Sequence, residues 1–140
     1  MSDLEKLAAR VEALVGPDRE VDISISTALG LVPAAYERAV IHDKPHPYFW
    51  HVEDTHAPYW IPPRFTGSLD DVRTLIGDEE WDLSTQHCIA RATVGIERDY
   101  QTSWPGHGEH AGNDPVLALL AAALRARTLI PSSRRGGRSA

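Results

Sequence analysis

The stretch that most restricts the fold is DPVLALLAAALRA, residues 114–126. Asp114 can cap a helix start, Pro115 suits a first helical turn, and the residues after them are apolar on every side. The many small apolar residues of this helix predict that it lies flush against a sheet. The apolar run from Val116 to Leu124 ends at Arg125 and is far too short to cross a bilayer.

Upstream, the pattern predicts further helices. Ser2 and Glu5 have capping-box spacing, and Leu4, Leu7, Val11, Leu14 and Val15 make an apolar stripe. Gly16-Pro17 closes that helix and opens a second one, with Asp18, Glu20 and Asp22 near its N-terminal end and Val21, Ile25, Ala28 and Leu29 facing inward. Pro33 predicts a short third helix with a weak face of Ala34, Ala35, Ala39 and Val40. Ser68 caps another that carries Leu69, Val72, Leu75 and Ile76 and ends at Gly77.

Residues 81–104 read as a small antiparallel sheet, with strands at 81–85, 87–97 and 100–104. Cys88, Ala90, Ala92, Val94 and Ile96 form the inner face. PGHGEHAGND then reads as a Gly-rich turn. The tail PSSRRGGRSA has no apolar anchor and is expected to be disordered and basic. The expected architecture is α+β, a small antiparallel sheet packed between helices as an α/β/α sandwich, in one domain over residues 1–130.

Between these regions lies HDKPHPYFWHVEDTH, with four of the seven histidines. Pro45, Pro47, Pro58, Pro62 and Pro63 exclude a regular helix from residues 42–64 and allow at most short edge strands. A long irregular loop is expected. His42 and His46 would share a face only on a helix, so this spacing does not pre-organise a metal site even with Asp43, Glu53 and Asp54 nearby. The aromatics carry more information. Tyr48, Phe49, Trp50, Tyr59, Trp60 and Phe65 are six of the chain's ten, and they flank Arg64. Such a group either lines a binding pocket or fills a mini-core of its own.

A second cluster, His107, Glu109 and His110, precedes the last helix. Its H-x-E spacing lacks the later Cys-x-x-Cys of zinc deaminases, since Cys88 is the single cysteine. The glycines around it would suit an anion at the helix start. Ser103 and Thr102 stand in no nucleophile motif, and Cys88 is expected to be an inert strand residue. Candidate binding residues are therefore Tyr48, Trp50, Tyr59, Trp60, Arg64, Trp104, His107 and His110. No catalytic residue, metal ligand or cofactor is assigned.

The formal net charge of -6 and pI near 5.6 argue against a polyphosphate-binding body, although Arg134, Arg135 and Arg138 give the tail a basic character. The bias of 12 Arg over 2 Lys looks like GC-rich coding. One cysteine and no basic leader before an apolar run suit a reducing cytoplasm.

Three separated stretches also resemble a known family: GPDREVDISISTALG at 16–30, PPRFTGSLDDVRTLI at 62–76 and GNDPVLALLAAALRAR at 112–127. Together and in this order they are similar to the phage ABA sandwich domain family. Its members pair two helices ending in Gly, then show a Tyr-Thr-x-Ser-Leu-Asp helix start, strands, and a Thr-Pro-x-Leu-Ala-Leu helix. Here Phe65 stands in place of Tyr and Asp114 in place of Thr. Residues 31–59 fall outside the resemblance, so the 42–64 loop reads as an insertion.

The resemblance implies a three-layer sandwich and a phage-encoded protein working in the bacterial host cytoplasm. It implies no reaction. The expected function is a non-enzymatic module that binds a small ligand or a host protein, in the manner of a host-defence antagonist. The alternatives are a His-dependent hydrolase of a nucleotide-like substrate and a minor virion or assembly component. A homo-oligomer would suit any of them, and no membrane partner is expected.

Overall fold

The structure, a computed structural model, describes residues 3–77, 79–86, 88–95 and 106–129. Within them the chain runs α1 (Asp3–Glu12), α2 (Arg19–Ala28), β1 (Tyr36–Ile41), β2 (Lys44–His51), α3 (Leu69–Ile76), β3 (Trp81–Gln86), β4 (Ile89–Val94), β5 (Gly106–His110) and α4 (Pro115–Leu129). β1 and β2 form a separate antiparallel ribbon. β3, β4 and β5 form an antiparallel sheet with β4 in the middle. The class is α+β, as the patterning predicts.

α4 is the organising element. Leu117, Leu119, Leu120 and Leu124 are fully buried, as are the alanines between them. Each such leucine contributes about 1.5–3 kcal/mol by leaving water. The sheet covers one flank of α4, while α1 and α3 pack along it elsewhere. Among the described residues, the layer with neighbours on both sides is thus α4. The sheet turns Arg91, Thr93, His107 and Glu109 outward, all exposed or half-buried. No helix among the described residues is long and apolar enough to cross a membrane.

The segment read as a Gly-rich turn is largely strand β5, and its glycines have a packing reason. A Cβ on Gly106 would stand 2.2 Å from the Ala122 carbonyl oxygen, and one on Gly108 only 2.0 Å from that of Ala118. Two strand residues advance about 6.6 Å and four helical residues about 6 Å, so the two backbones stay in step. Glycine every second residue on β5 meets alanine every fourth on α4. The expected flush helix–sheet contact exists, and it uses a strand that periodicity did not reveal.

Ser68 caps α3 as expected, accepting from the Asp71 N–H. Asp18, expected only near the N-terminal end of α2, is its N-cap and accepts from the Glu20 and Val21 N–H groups, so Pro17 precedes the helix and does not stand in its first turn. Val15 and Ala28, expected to face inward, are exposed. Ser2, the proposed cap of α1, lies outside the described residues, as do the tail, Ser103, Thr102 and the strand expected at 100–104.

Three other expectations are corrected. Residues 33–40 do not form a helix. Ala35 has a positive φ of 65°, and the chain then enters β1, which finds its hydrogen bonds across a hairpin. The irregular loop expected over 42–64 is a strand for its first third, because β2 pairs with β1 on one side and Pro45 and Pro47 can stand in a two-stranded ribbon. The tip is a two-residue turn, His42-Asp43, with φ of 53° and 62°. Two positive values match a type I′ hairpin, normally signalled by Asn-Gly. Cys88 is not on the inner face of a strand either; it is exposed, with φ 62°, in the turn before β4.

Candidate functional site

The ribbon divides the aromatic group. Strand alternation sends Phe49 inward, where it is buried against Trp60 with ring centroids 5.4 Å apart. The two residues also exchange backbone bonds, Phe49 N–H to Trp60 O at 2.8 Å and Trp60 N–H to Phe49 O at 2.9 Å. Phe65 belongs to the main core. Tyr48 and Trp50, of opposite parity to Phe49, take the other side, where Tyr48 meets Tyr59 edge-on at 4.9 Å. Both readings of the aromatics therefore apply to different members: Phe49 and Phe65 are buried, with half-buried Trp60 packed on Phe49, while Trp50 and Tyr59 stay 44% and 63% exposed.

Beside this outer side lies a cavity of about 400 Å³. Trp50, Val52, Ala57 and Tyr59 supply its apolar wall, and Glu37, His51, Asp54 and Thr55 its polar rim. That volume is within the usual range for small-ligand sites. Glu37 stands directly across the ribbon from Trp50. His51 shapes the rim by accepting at Nδ1 from the Asp54 N–H at 2.8 Å and the Glu53 N–H at 3.2 Å. Its ring packs edge-on against Tyr36. Tyr36 Oη in turn donates to the Pro58 carbonyl at 2.9 Å, which ties the segment after β2 back to the ribbon. Arg64 is not part of this cavity. It is exposed, and its N–H donates to Asp71 Oδ2 at the start of α3.

The histidines of this stretch are dispersed. His42 is at the hairpin tip, His46 contacts Tyr48, His51 ends β2, and His56 is exposed in the following turn. No group of three or more His, Cys, Asp or Glu side chains capable of holding a metal occurs among the described residues.

The second cluster is split by the same alternation. On β5, His107 and Glu109 point to the outer sheet face and His110 points inward, 5% exposed. His110 Nδ1 accepts from the Asp114 N–H at 3.1 Å, so Nε2 carries the hydrogen and donates to the Leu14 carbonyl at 2.6 Å. This ring joins the start of α4 to the end of α1 and is structural. The start of α4 is likewise occupied: Asp114 Oδ1 accepts from the Val116 and Leu117 N–H groups. An anion expected there would meet a carboxylate already in place. Trp104 lies outside the described residues.

His107 and Glu109 do border a cleft of about 370 Å³ with Arg91 and Thr93, closed at one side by Glu12 and Arg125. The last two are committed to the fold. Arg125 grips Glu12 through two bonds of 2.7 Å, reaches Glu5 at 3.0 Å and donates to the His107 carbonyl at 3.0 Å. Glu12 also accepts from the Glu109 N–H at 2.8 Å, which covers part of an edge strand. Burial pushes the Glu12 carboxyl upward, but hydrogen bonds from Arg125 and Glu109 N–H outweigh it and hold the group below its ordinary 4.5. Glu12, and after it Glu5, push the Arg125 guanidinium upward, against burial.

A carboxyl depressed in the folded state stabilises the fold above its unfolded value, and that contribution is lost as pH falls through the folded value. The contribution of Glu12 to stability should therefore be present above pH 4.5 and be lost as pH falls below it. Chemical denaturation of Glu12→Gln between neutral and acid pH should give a lower plateau and a shallower acid slope. Parallel curves for the two proteins would show that Glu12 does not carry this dependence.

Of the candidate binding residues, the structure brings Tyr48, Trp50 and Tyr59 to one side of the ribbon, and it adds Glu37 and Asp54, which the sequence did not offer as partners of that surface. Glu37 could have been found only by knowing the β1–β2 register. No family model, curated protein or solved structure matches this chain.

Proposed function

We propose that this protein is a non-enzymatic binding module whose ligand sits on the aromatic side of the β1–β2 ribbon. The observation that carries the reading is where apolar surface is left uncovered. Val40, Ile41, Trp50, Val52, Tyr59 and Ile61 are all exposed, and they fall within one stretch of the chain. Scattered exposed apolar residues need no explanation, whereas three of these, Trp50, Val52 and Tyr59, line one ligand-sized cavity, as a contact surface would. The resemblance to phage ABA sandwich domains supports a phage-encoded accessory role in a bacterial host, with a small ligand or a host protein as the partner.

The rival reading is a hydrolase that uses His107 and Glu109 in the sheet cleft. One ligand screen separates the two. Ligand-observed NMR with a mixed set of nucleosides, amino acids and amines should give hits that Trp50→Ala removes and His107→Ala preserves. Hits with the opposite sensitivity would transfer the function to the cleft.

A further inference from the structure

The rim of the ribbon cavity has one sign of charge. Glu37 and Asp54 border it, and among the described residues no lysine or arginine does. The neighbouring arginine, Arg38, is on the other side of the ribbon and is held by Glu20 and by the His46 carbonyl. The Glu37 side chain is exposed and makes no hydrogen bond or ion pair among the described residues. Asp54 uses Oδ1 to accept from the His56 N–H at 2.9 Å, which fixes its carboxylate at the mouth.

Aromatic residues line the same cavity as these carboxylates. Trp50 is the cross-strand partner of Glu37, so an indole and an unpaired carboxylate are neighbours on the ribbon. Tyr59 is propped edge-on by Tyr48 and completes the wall. Aromatic faces attract cations through their quadrupole, and tryptophan does so most strongly. A neutral ring ligand would use the aromatics and leave both carboxylates idle, and an anion would be repelled by them. Resting on the ribbon as the binding surface, we infer that this cavity takes an organic cation, an alkylated ammonium or guanidinium group, between Trp50 and Tyr59 with Glu37 and Asp54 as counter-charges. The cation is either a free small molecule or a basic side chain of a partner.

The test follows the Trp50 indole N–H signal, identified by its loss in Trp50→Phe, during titration of the full chain. Choline is compared with the neutral alcohol in which carbon replaces the quaternary nitrogen. A blocked peptide with a central arginine is compared with its citrulline counterpart. Each cation should shift the signal and bind about tenfold more tightly than its neutral twin. Glu37→Gln and Asp54→Asn, both surface changes checked by an unaltered amide spectrum, should each erase much of that preference. Tighter binding of the arginine peptide than of choline places the cation on a partner chain; the reverse order makes it a free metabolite.

Equal affinity for charged and neutral twins, or full discrimination retained in Glu37→Gln and Asp54→Asn together, overturns the inference while leaving the ribbon as a binding surface. A Trp50 signal silent to every cation yet responsive to neutral ring compounds has the same meaning. If no compound moves Trp50 and the screen's hits depend on His107, both the inference and the ribbon reading fall.

Discussion

Replacing Gly108 with alanine is expected to destabilise the protein by about 3 kcal/mol, a large share of the roughly 5–15 kcal/mol typical of a domain. The added Cβ would stand 2.0 Å from the Ala118 carbonyl oxygen and 2.6 Å from the Ala122 nitrogen. Both are backbone atoms of fully buried helix residues, so no side-chain rotation relieves the contact. Relief requires β5 to move off α4, and that loosens contacts along the whole interface because protein interiors are close-packed. Urea denaturation would measure the loss. Glu109→Ala, one residue along but facing outward and only 3.6 Å from Arg91 in an exposed pair, should stay within about 0.5 kcal/mol of the parent protein. A Gly108→Ala protein as stable as the Glu109→Ala control would show that β5 and α4 do not meet as closely as the structure places them. Adding Gly106→Ala should cost less than it does alone, since the first substitution already opens the shared gap.

The same glycines explain what could be read from the sequence and what could not. Helices announce themselves through short-range chemistry. Asp18, Ser68 and Asp114 each cap a helix from their own first turn, and Val72, Leu75 and Ile76 repeat on one face. These signals lie within a few residues of one another and need no knowledge of the remaining fold. β5 has no such signal. GHGEH contains no β-branched or aromatic residue, and its two glycines look like turn residues until α4 is placed against them. β1 and β2 were hidden for a related reason. Their pairing depends on a His-Asp turn with two positive φ values, an uncommon solution that composition does not advertise.

The candidate site was legible to the same degree as its elements. The aromatics were found by concentration alone, which does not depend on fold. Their division into Phe49 and Phe65 as interior, with Trp60 packed on Phe49, and Trp50 and Tyr59 as surface needed the strand parity. Glu37 lies thirteen residues before Trp50, in a segment expected to be helical, and becomes relevant only through the register that sets the two side by side. The pairing of His107 with His110 failed for the mirror-image reason: neighbours in a turn become residues on opposite faces of a strand.

The second large effect is expected at Asp22, a helical carboxylate whose side chain is 1% exposed. In sequence it is one of three acidic residues near the start of α2. In the fold it differs from the others because it faces the segment leading into α3. Its Oδ1 accepts from both the Thr66 N–H and the Thr66 hydroxyl, each at 2.8 Å, and its Oδ2 accepts from Arg19 at 2.8 Å. Arg19 continues to the Pro62 carbonyl at 2.9 Å, and the Thr66 oxygen accepts from the Asp18 N–H at 2.8 Å. The carboxylate therefore joins α2 to the chain that leaves the aromatic segment. Asp22→Ala would strand the buried Thr66 N–H and remove the anchor of Arg19, at a cost of about 3 kcal/mol, kept to the lower end of the range for a broken buried pair because Arg19 is 28% exposed. Asp22→Asn keeps an oxygen for Thr66 and turns a donor toward Arg19, so it should lose less, about 1–2 kcal/mol. Thr66→Val tests the hydroxyl alone while leaving the N–H bond in place. The ordering Asp22→Ala, then Asp22→Asn, then Thr66→Val in falling cost, measured by denaturation, is what a carboxylate satisfying two buried donors requires. Asp22→Ala and Asp22→Asn of equal cost would assign the effect to charge alone. In that case Arg19→Met should reproduce it, and the Thr66 contacts would contribute little to holding this segment against α2.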